Sequence, residues 1–217
     1  MSIEIKISKK RISYKTAMLY LNKRVQEVKI AKNRELLWIL EHPTTYTAGV
    51  SFNKKEIIDK KIELIKSNRG GKITLHNPGQ KIIYFVIDLN KKKKDIRKLI
   101  NVLEKSLIQF LKSYKIKANT DRKNIGIWVN GKKIAAIGIR VSRWVAFHGC
   151  SINISNNLNQ YLKIIPCGLN NKKITSIFKE TGDIPKNFEK KLADIFVKNI
   201  NPVSYTHLRA HETDSYL

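Results

Sequence analysis

The dipeptide Asn130-Gly131, set between the runs GIWV and KKIAAIGIRV, constrains this chain more than any other feature. Asn and Gly tolerate the positive φ angles that a two-residue type I′ turn needs at both central positions, and that turn matches the twist of the strands it joins. The two runs therefore read as a β-hairpin. A third run, WVAFHGCSINI, follows Ser142-Arg143 and extends it to three strands. Side chains alternate along a strand, so Lys132 and Lys133 should face opposite ways.

The rest of the chain alternates between the two periods. Tyr14 to Arg34 reads as a helix, with Tyr14, Ala17, Leu21, Val25, Val28 and Ala31 at three- and four-residue spacing. ELLWIL is a short buried strand, ITLH an alternating one, and KIIYFVIDL, after an Asn-Pro-Gly turn, a central one. Asp95 is placed to cap a helix whose stripe runs from Ile96 through Leu99, Leu103, Leu107 and Phe110 to Tyr114. Pro185 to Ile200 reads as a last helix. Hairpins interleaved with helices indicate an α/β (mixed-sheet α+β) domain. No repeat or linker divides it, so residues 1–203 are expected to form one catalytic-sized unit. From Ser204 the chain changes character: SYTHLRAHETDSYL lacks Lys and Ile and carries two of the five histidines, and residues 204–217 read as a non-native tail.

Composition narrows the function classes. No stretch approaches the ~18 apolar residues of a membrane span, and the N-terminus has no apolar leader core. Cys150 and Cys167 form no CxxC pair and no zinc-ligand series, which points away from a disulfide scaffold or a metal site and toward a reducing, cytoplasmic setting. The net charge of +26 favours acidic partners. It has a second reading, since Lys, Ile and Asn are enriched together, as A/T-rich codon usage produces. An RNA-binding protein would cluster its cations among exposed aromatics. Here Trp128, Trp144 and Tyr84 fall inside apolar strand patterns, so no nucleic-acid partner is expected.

Several residues are candidates for chemistry. Cys167, in IIPCGL, lies between Pro and Gly at a sharp turn of the backbone, where a nucleophile would be presented and Gly168 would leave N–H groups open to an oxyanion. Its alternative is a buried structural cysteine. Lys133 reads either as a functional residue or as a solvated turn lysine. His76 and His148 each end a strand segment, where hydrogen-bonded structural histidines are common. Arg69-Gly70-Gly71 would let backbone approach a ligand while Arg69 binds an anion. Neither GxxxxGK[ST] nor GxGxxG is present, so this is not a phosphate loop.

Taken in order, LEHPTTYTAG, NRGGKITLHNPGQ, GIWVNGKKIAAIGIRVSRWVAFHG and IIPCGL resemble the octanoyltransferase family of lipoate biosynthesis, over roughly residues 36–169. The resemblance implies a biotin/lipoate protein ligase-like catalytic domain that moves an octanoyl group from acyl carrier protein to a lysine. The acceptors would be lipoyl domains of 2-oxoacid dehydrogenase complexes and the glycine cleavage H protein. It implies Cys167 as the acyl-thioester nucleophile and Lys133 as its activator, with no cofactor. Substrate contacts are implied for Arg69, Gly70, Gly71, Lys72, Ile73, Thr74, Leu75 and His76, for Ala136, Ile137 and Gly138, and for His148, Gly149, Cys150 and Ser151. Lys133 or His148 would relieve the acceptor lysine of its proton.

Two positions depart from the family pattern. Asn77 stands where Gly is usual, a change the turn is expected to absorb because Asn tolerates left-handed backbone. Val50 stands where an Arg is typical, removing an anion contact. The competing reading within the same fold is an ATP-dependent lipoate or biotin ligase, which needs no cysteine.

Overall fold

The computed structural model describes residues 3–166 and 174–201. A seven-stranded sheet runs in the order β1-β2-β6-β10-β9-β8-β7, and a three-stranded sheet, β4-β3-β5, stands apart from it. In the large sheet β1 (Glu4–Ile7) pairs parallel with β2 (Leu36–Leu40). The other pairings, through β6 (Gln80–Asp88), β10 (Val145–Asn153), β9 (Lys132–Ser142), β8 (Ile127–Val129) and β7 (Asn119–Thr120), are antiparallel. The small sheet joins β3 (Thr45–Ala48) to β4 (Leu64–Lys66) and β5 (Ile73–His76).

The near-continuous apolar runs in β2 and β6 follow from burial on both faces. Leu37, Ile39, Ile83 and Phe85 enter one core with helices α2 (Ile96–Lys112) and α4 (Glu189–Ile200). Leu36, Trp38, Leu40, Tyr84 and Val86 enter the other beneath helix α1 (Tyr14–Lys29). The α2 stripe buries Leu99, Leu103, Leu107, Phe110 and Leu111, each worth roughly 1.5–3 kcal/mol as an upper estimate. The Asp95 side chain accepts from the Lys98 amide at 2.9 Å, the cap the sequence called for. A short helix, α3 (Ile177–Thr181), precedes α4.

Three expectations need correcting. Helix α1 stops at Lys29 rather than Arg34, because Ala31 turns left-handed (φ 55°). The β9–β10 turn centres on Arg143 and Trp144 (φ 48° and 63°), which leaves Trp144 38% exposed rather than inside a strand. Asn77 does not adopt left-handed backbone; that role falls to Gly79 (φ 85°). Its side chain instead donates to the Asn157 carbonyl and Gln160 Oε1 and accepts from Asn156 Nδ2. The tail and Cys167 lie outside the described residues.

Candidate active site

Strand register produces the cavity. Across β6, β10 and β9, Tyr84 pairs with Gly149 and Gly149 with Gly138; in the neighbouring row Ile82 pairs with Ser151 and Ser151 with Ala136. On this face the strands thus carry Gly, Gly, Ser and Ala beside two large residues, and a space of about 460 Å³ opens above them. Gly149 is sterically required, since a Cβ there would overlap the Ile83 carbonyl, and a Cβ on Gly138 would sit tightly at 3.2 Å from the Gly70 oxygen. The Arg69–Lys72 loop closes over the space, with the Gly70 amide donating to the Ile139 carbonyl at 3.1 Å.

Lys133 enters the cavity from β9. It is only 5% exposed, its ammonium donates to the Ile125 carbonyl at 2.9 Å and it lies 5.5 Å from the Trp128 ring centre. Gly126 makes room for the stem, since a Cβ there would sit 2.5 Å from Lys133 Cε. The Asn130-Gly131 turn (φ 49° and 71°) sets the register that aims it. Lys132 turns the other way and pairs with Glu180 at 3.4 Å. Pro166 shares a small recess with Lys133 and Ile174. Ile174 bridges to Lys133, whose carbonyl accepts from the Thr175 amide at 2.9 Å. Of the residues flanking 167–173, Ile174 and Thr175 thus lie against this lysine and Pro166 lines the same recess.

Of the other candidates, Arg69, Gly70, Gly71, Lys72, Thr74, His76, Ala136, Ile137, Gly138, His148, Gly149, Cys150 and Ser151 all line this cavity. Ile73 and Leu75 do not; alternation sends them into the core of the small sheet. Arg69, expected to hold an anion, directs its guanidinium at the Thr47 carbonyl and hydroxyl (2.7 and 2.8 Å) and at the Gly70 carbonyl. It braces the loop. Val50 is 67% exposed at the loop's outer side, its amide on the Arg69 carbonyl. Sequence reasoning missed Ser51, Ile82, Tyr84, Ile100 and the Lys123–Ile125 stretch, all of which line the space. Only the small-residue alternation in AAIG hinted at a hollow face.

A buried polar cluster lies beside the cavity. His42 donates from Nδ1 to the Ile12 carbonyl and accepts from the Tyr84 hydroxyl; His76 donates from Nδ1 to Gln80 Oε1. Gln80 in turn donates to Asn153 Oδ1, and Asn153 to the Thr175 carbonyl. His148, at φ 68° within β10, donates from Nε2 to Asn68 Oδ1 at 2.6 Å. Desolvation pushes His42 down to about 4 and His76 to about 3, the latter also repelled by His42. It pushes His148 to about 3, with Arg69 and Arg140 adding to the shift. All three are neutral near pH 7. A base held as low as His148 is poorly matched to an ammonium proton. Burial drives the Cys150 thiol far up, leaving an apolar wall residue.

The paired sheets and sheet-floored cavity define the fold of lipoate and biotin protein ligases. A lipoate-protein ligase A bound with ATP superposes with a TM-score of 0.72 at 12% identity, over 96% of this chain and 88% of its own. The biotin protein ligase of Aquifex aeolicus in complex with biotin and ATP does so at 0.56 and 14%, over 92% and 69%. The family model for the lipoyl protein ligase A/B catalytic domain matches residues 13–197, and the chain belongs to that family. The octanoyltransferase of Bartonella tribocorum is 40% identical over 188 residues, 80% of this chain and 77% of its own length.

Proposed function

We infer that this chain is an acyltransferase that places an octanoyl group on a lysine of lipoyl-bearing proteins, with acyl carrier protein as donor and Cys167 as the covalent way-station. The observation that carries the reading is Lys133, a buried ammonium in a cavity floored by small residues, with Pro166 and Ile174 beside it. The octanoyltransferase relatives support the same activity.

A free thiol of pKa ~8.5 is only about 3% thiolate at pH 7. An ammonium at contact distance lowers that pKa by roughly 1–3 units. The thiolate attacks the donor's thioester carbonyl; the carrier sulfur leaves and takes up a proton, and octanoyl-Cys167 remains. The acceptor amine then attacks this thioester. Cys167 leaves as thiolate, and the amine's proton passes to solvent or to the Lys133 amine, which is neutral once its own proton has gone to the carrier sulfur. The acceptor's neutral fraction near pH 7 is on the order of 1 in 2,500, a handicap of roughly 4–5 kcal/mol. Thioester-to-amide transfer is downhill and requires no nucleotide. The acceptors are lipoyl domains and the H protein, the setting is the cytosol, and the +26 charge speeds encounter with acidic partners.

The test is incubation with octanoyl-acyl carrier protein in the absence of ATP, followed by intact-mass analysis. A hydroxylamine-labile octanoyl adduct is expected on the parent and none on Cys167→Ser, with transfer to an added lipoyl domain. Modification that requires ATP and survives in Cys167→Ser would replace this reading with a ligase.

A further inference from the structure

A second groove of about 590 Å³ opens between the first turns of α2 and the segment 120–125. Ile100 and Ile125 line both this groove and the reaction cavity, so the two spaces meet across an apolar sill. Beyond the sill the character changes. Arg97 and Arg122 stand on the groove's walls with Asn101 and Thr120. Both arginines are exposed, and among the described residues neither makes an ion pair or a side-chain hydrogen bond. Of the two acids present, Asp121 accepts from the amides of Lys123 and Asn124 and from Asn124 Nδ2. Glu104 and Asp121 match the two arginines in formal charge, but among the described residues neither acid forms an ion pair with either arginine, so both guanidinium groups keep their donors open. Thr120 belongs to β7, the outermost strand of the large sheet, whose far side pairs with no other strand among the described residues.

A ligand suited to these features is extended, carries amides that can pair along a strand edge, has an anion at one end and an apolar group at the other. Resting on the octanoyl-transfer reading, we propose that this groove binds the phosphopantetheine-type arm of the acyl donor. Its phosphodiester lies at Arg97 and Arg122, and its thioester end crosses the Ile100–Ile125 sill toward Lys133. Guanidinium groups suit a phosphate through paired donors, which lysines do not supply. In this arrangement diffuse charge hastens encounter, while Arg97 and Arg122 supply the donors that take up one phosphate.

The test uses stable amide analogues of octanoyl-phosphopantetheine and octanoyl-pantetheine, which differ only in the phosphate, with binding to the full chain read by calorimetry. The parent should bind the phosphorylated analogue roughly tenfold more tightly, the range of a charge-assisted contact. The double variant Arg97→Gln/Arg122→Gln should bind the two alike, at the parent's affinity for octanoyl-pantetheine. Lys23→Gln, an exposed charge on α1 across the sheet, should keep the parent's preference. No preference in the parent, or a preference that survives the double variant, overturns the proposal. So does equal loss of both analogues in a variant with unchanged melting, which would make the arginines supports of the cavity wall. Binding needs no turnover. A chain that shows the arginine-dependent preference yet transfers no octanoyl group keeps the groove and sinks the transfer reading.

Discussion

The Lys133 ammonium donates one hydrogen to the Ile125 carbonyl, which leaves two for other partners. Its neighbour Lys132 has the same charge and an opposite orientation, so the pair forms an internal control. Lys133→Met should move the pH midpoint of iodoacetamide labelling at Cys167 up to about 8.5 from well below 8, whereas Lys132→Met should leave it in place. Equal shifts in both would assign the effect to the diffuse positive field. Cys150, buried with its thiol pushed far up, should label only after unfolding, and Cys150→Ala should keep most activity. Labelling of native Cys150 at neutral pH would contradict its placement. At this scale alternation from a fixed turn showed that Lys132 and Lys133 face opposite ways, and the family resemblance singled out Lys133. The bracing role of Arg69 was not legible, since its partners on Thr47 come from a strand distant in sequence.

Among the elements, the two hairpin turns are an instructive contrast. Asn130-Gly131 uses residues that adopt positive φ at little cost; Arg143-Trp144 reaches the same region with bulky ones. Non-glycine residues there cost roughly 1–2 kcal/mol each. Replacing Arg143-Trp144 by Asn-Gly should therefore raise the thermal midpoint by several degrees with octanoyl transfer unaltered. An unchanged or lower midpoint would show that the Lys94 ammonium, 5.7 Å from the Trp144 ring centre, or the ring's own packing outweighs the strain. Strand and helix positions were readable because their periods are local. This turn slipped by one residue because nothing in SRW marks left-handed backbone. The end of α1 was overrun because Ala31 fits the apolar stripe while its backbone leaves the helix.

Over the whole molecule, three buried neutral histidines bind pH to stability. Their folded pKa values of about 4, 3 and 3 lie below the unfolded value, so the unfolded chain binds more protons as pH falls through about 6.5. Stability is complete above that pH and is lost down to about 4 for His42 and about 3 for His76 and His148, at up to roughly 1.4 kcal/mol per histidine per pH unit. Urea midpoints should drop steeply between pH 6.5 and 4, and His42→Gln should flatten the slope by about a third. A slope unchanged in that variant would remove His42 from the cause. The fold class followed from the order of hairpins and helices, and the site blocks from family resemblance. The cavity itself was not legible, because it arises from cross-strand rows that exist only once register is set.

Those rows also have a chronology. Ala136–Ser151 lies in a meander closed by short turns, so one wall of the cavity can assemble from neighbours in the chain. The opposing wall, Arg69–His76, meets it through pairings such as Gly70 with Ile139, between residues remote in sequence. Contacts of that kind come late in folding because loop closure must precede them. On the ribosome the Arg69 loop emerges first and waits for the sheet it will cover. The roof of the binding space should thus close after the meander that floors it, and in native-state hydrogen exchange it should open before that floor.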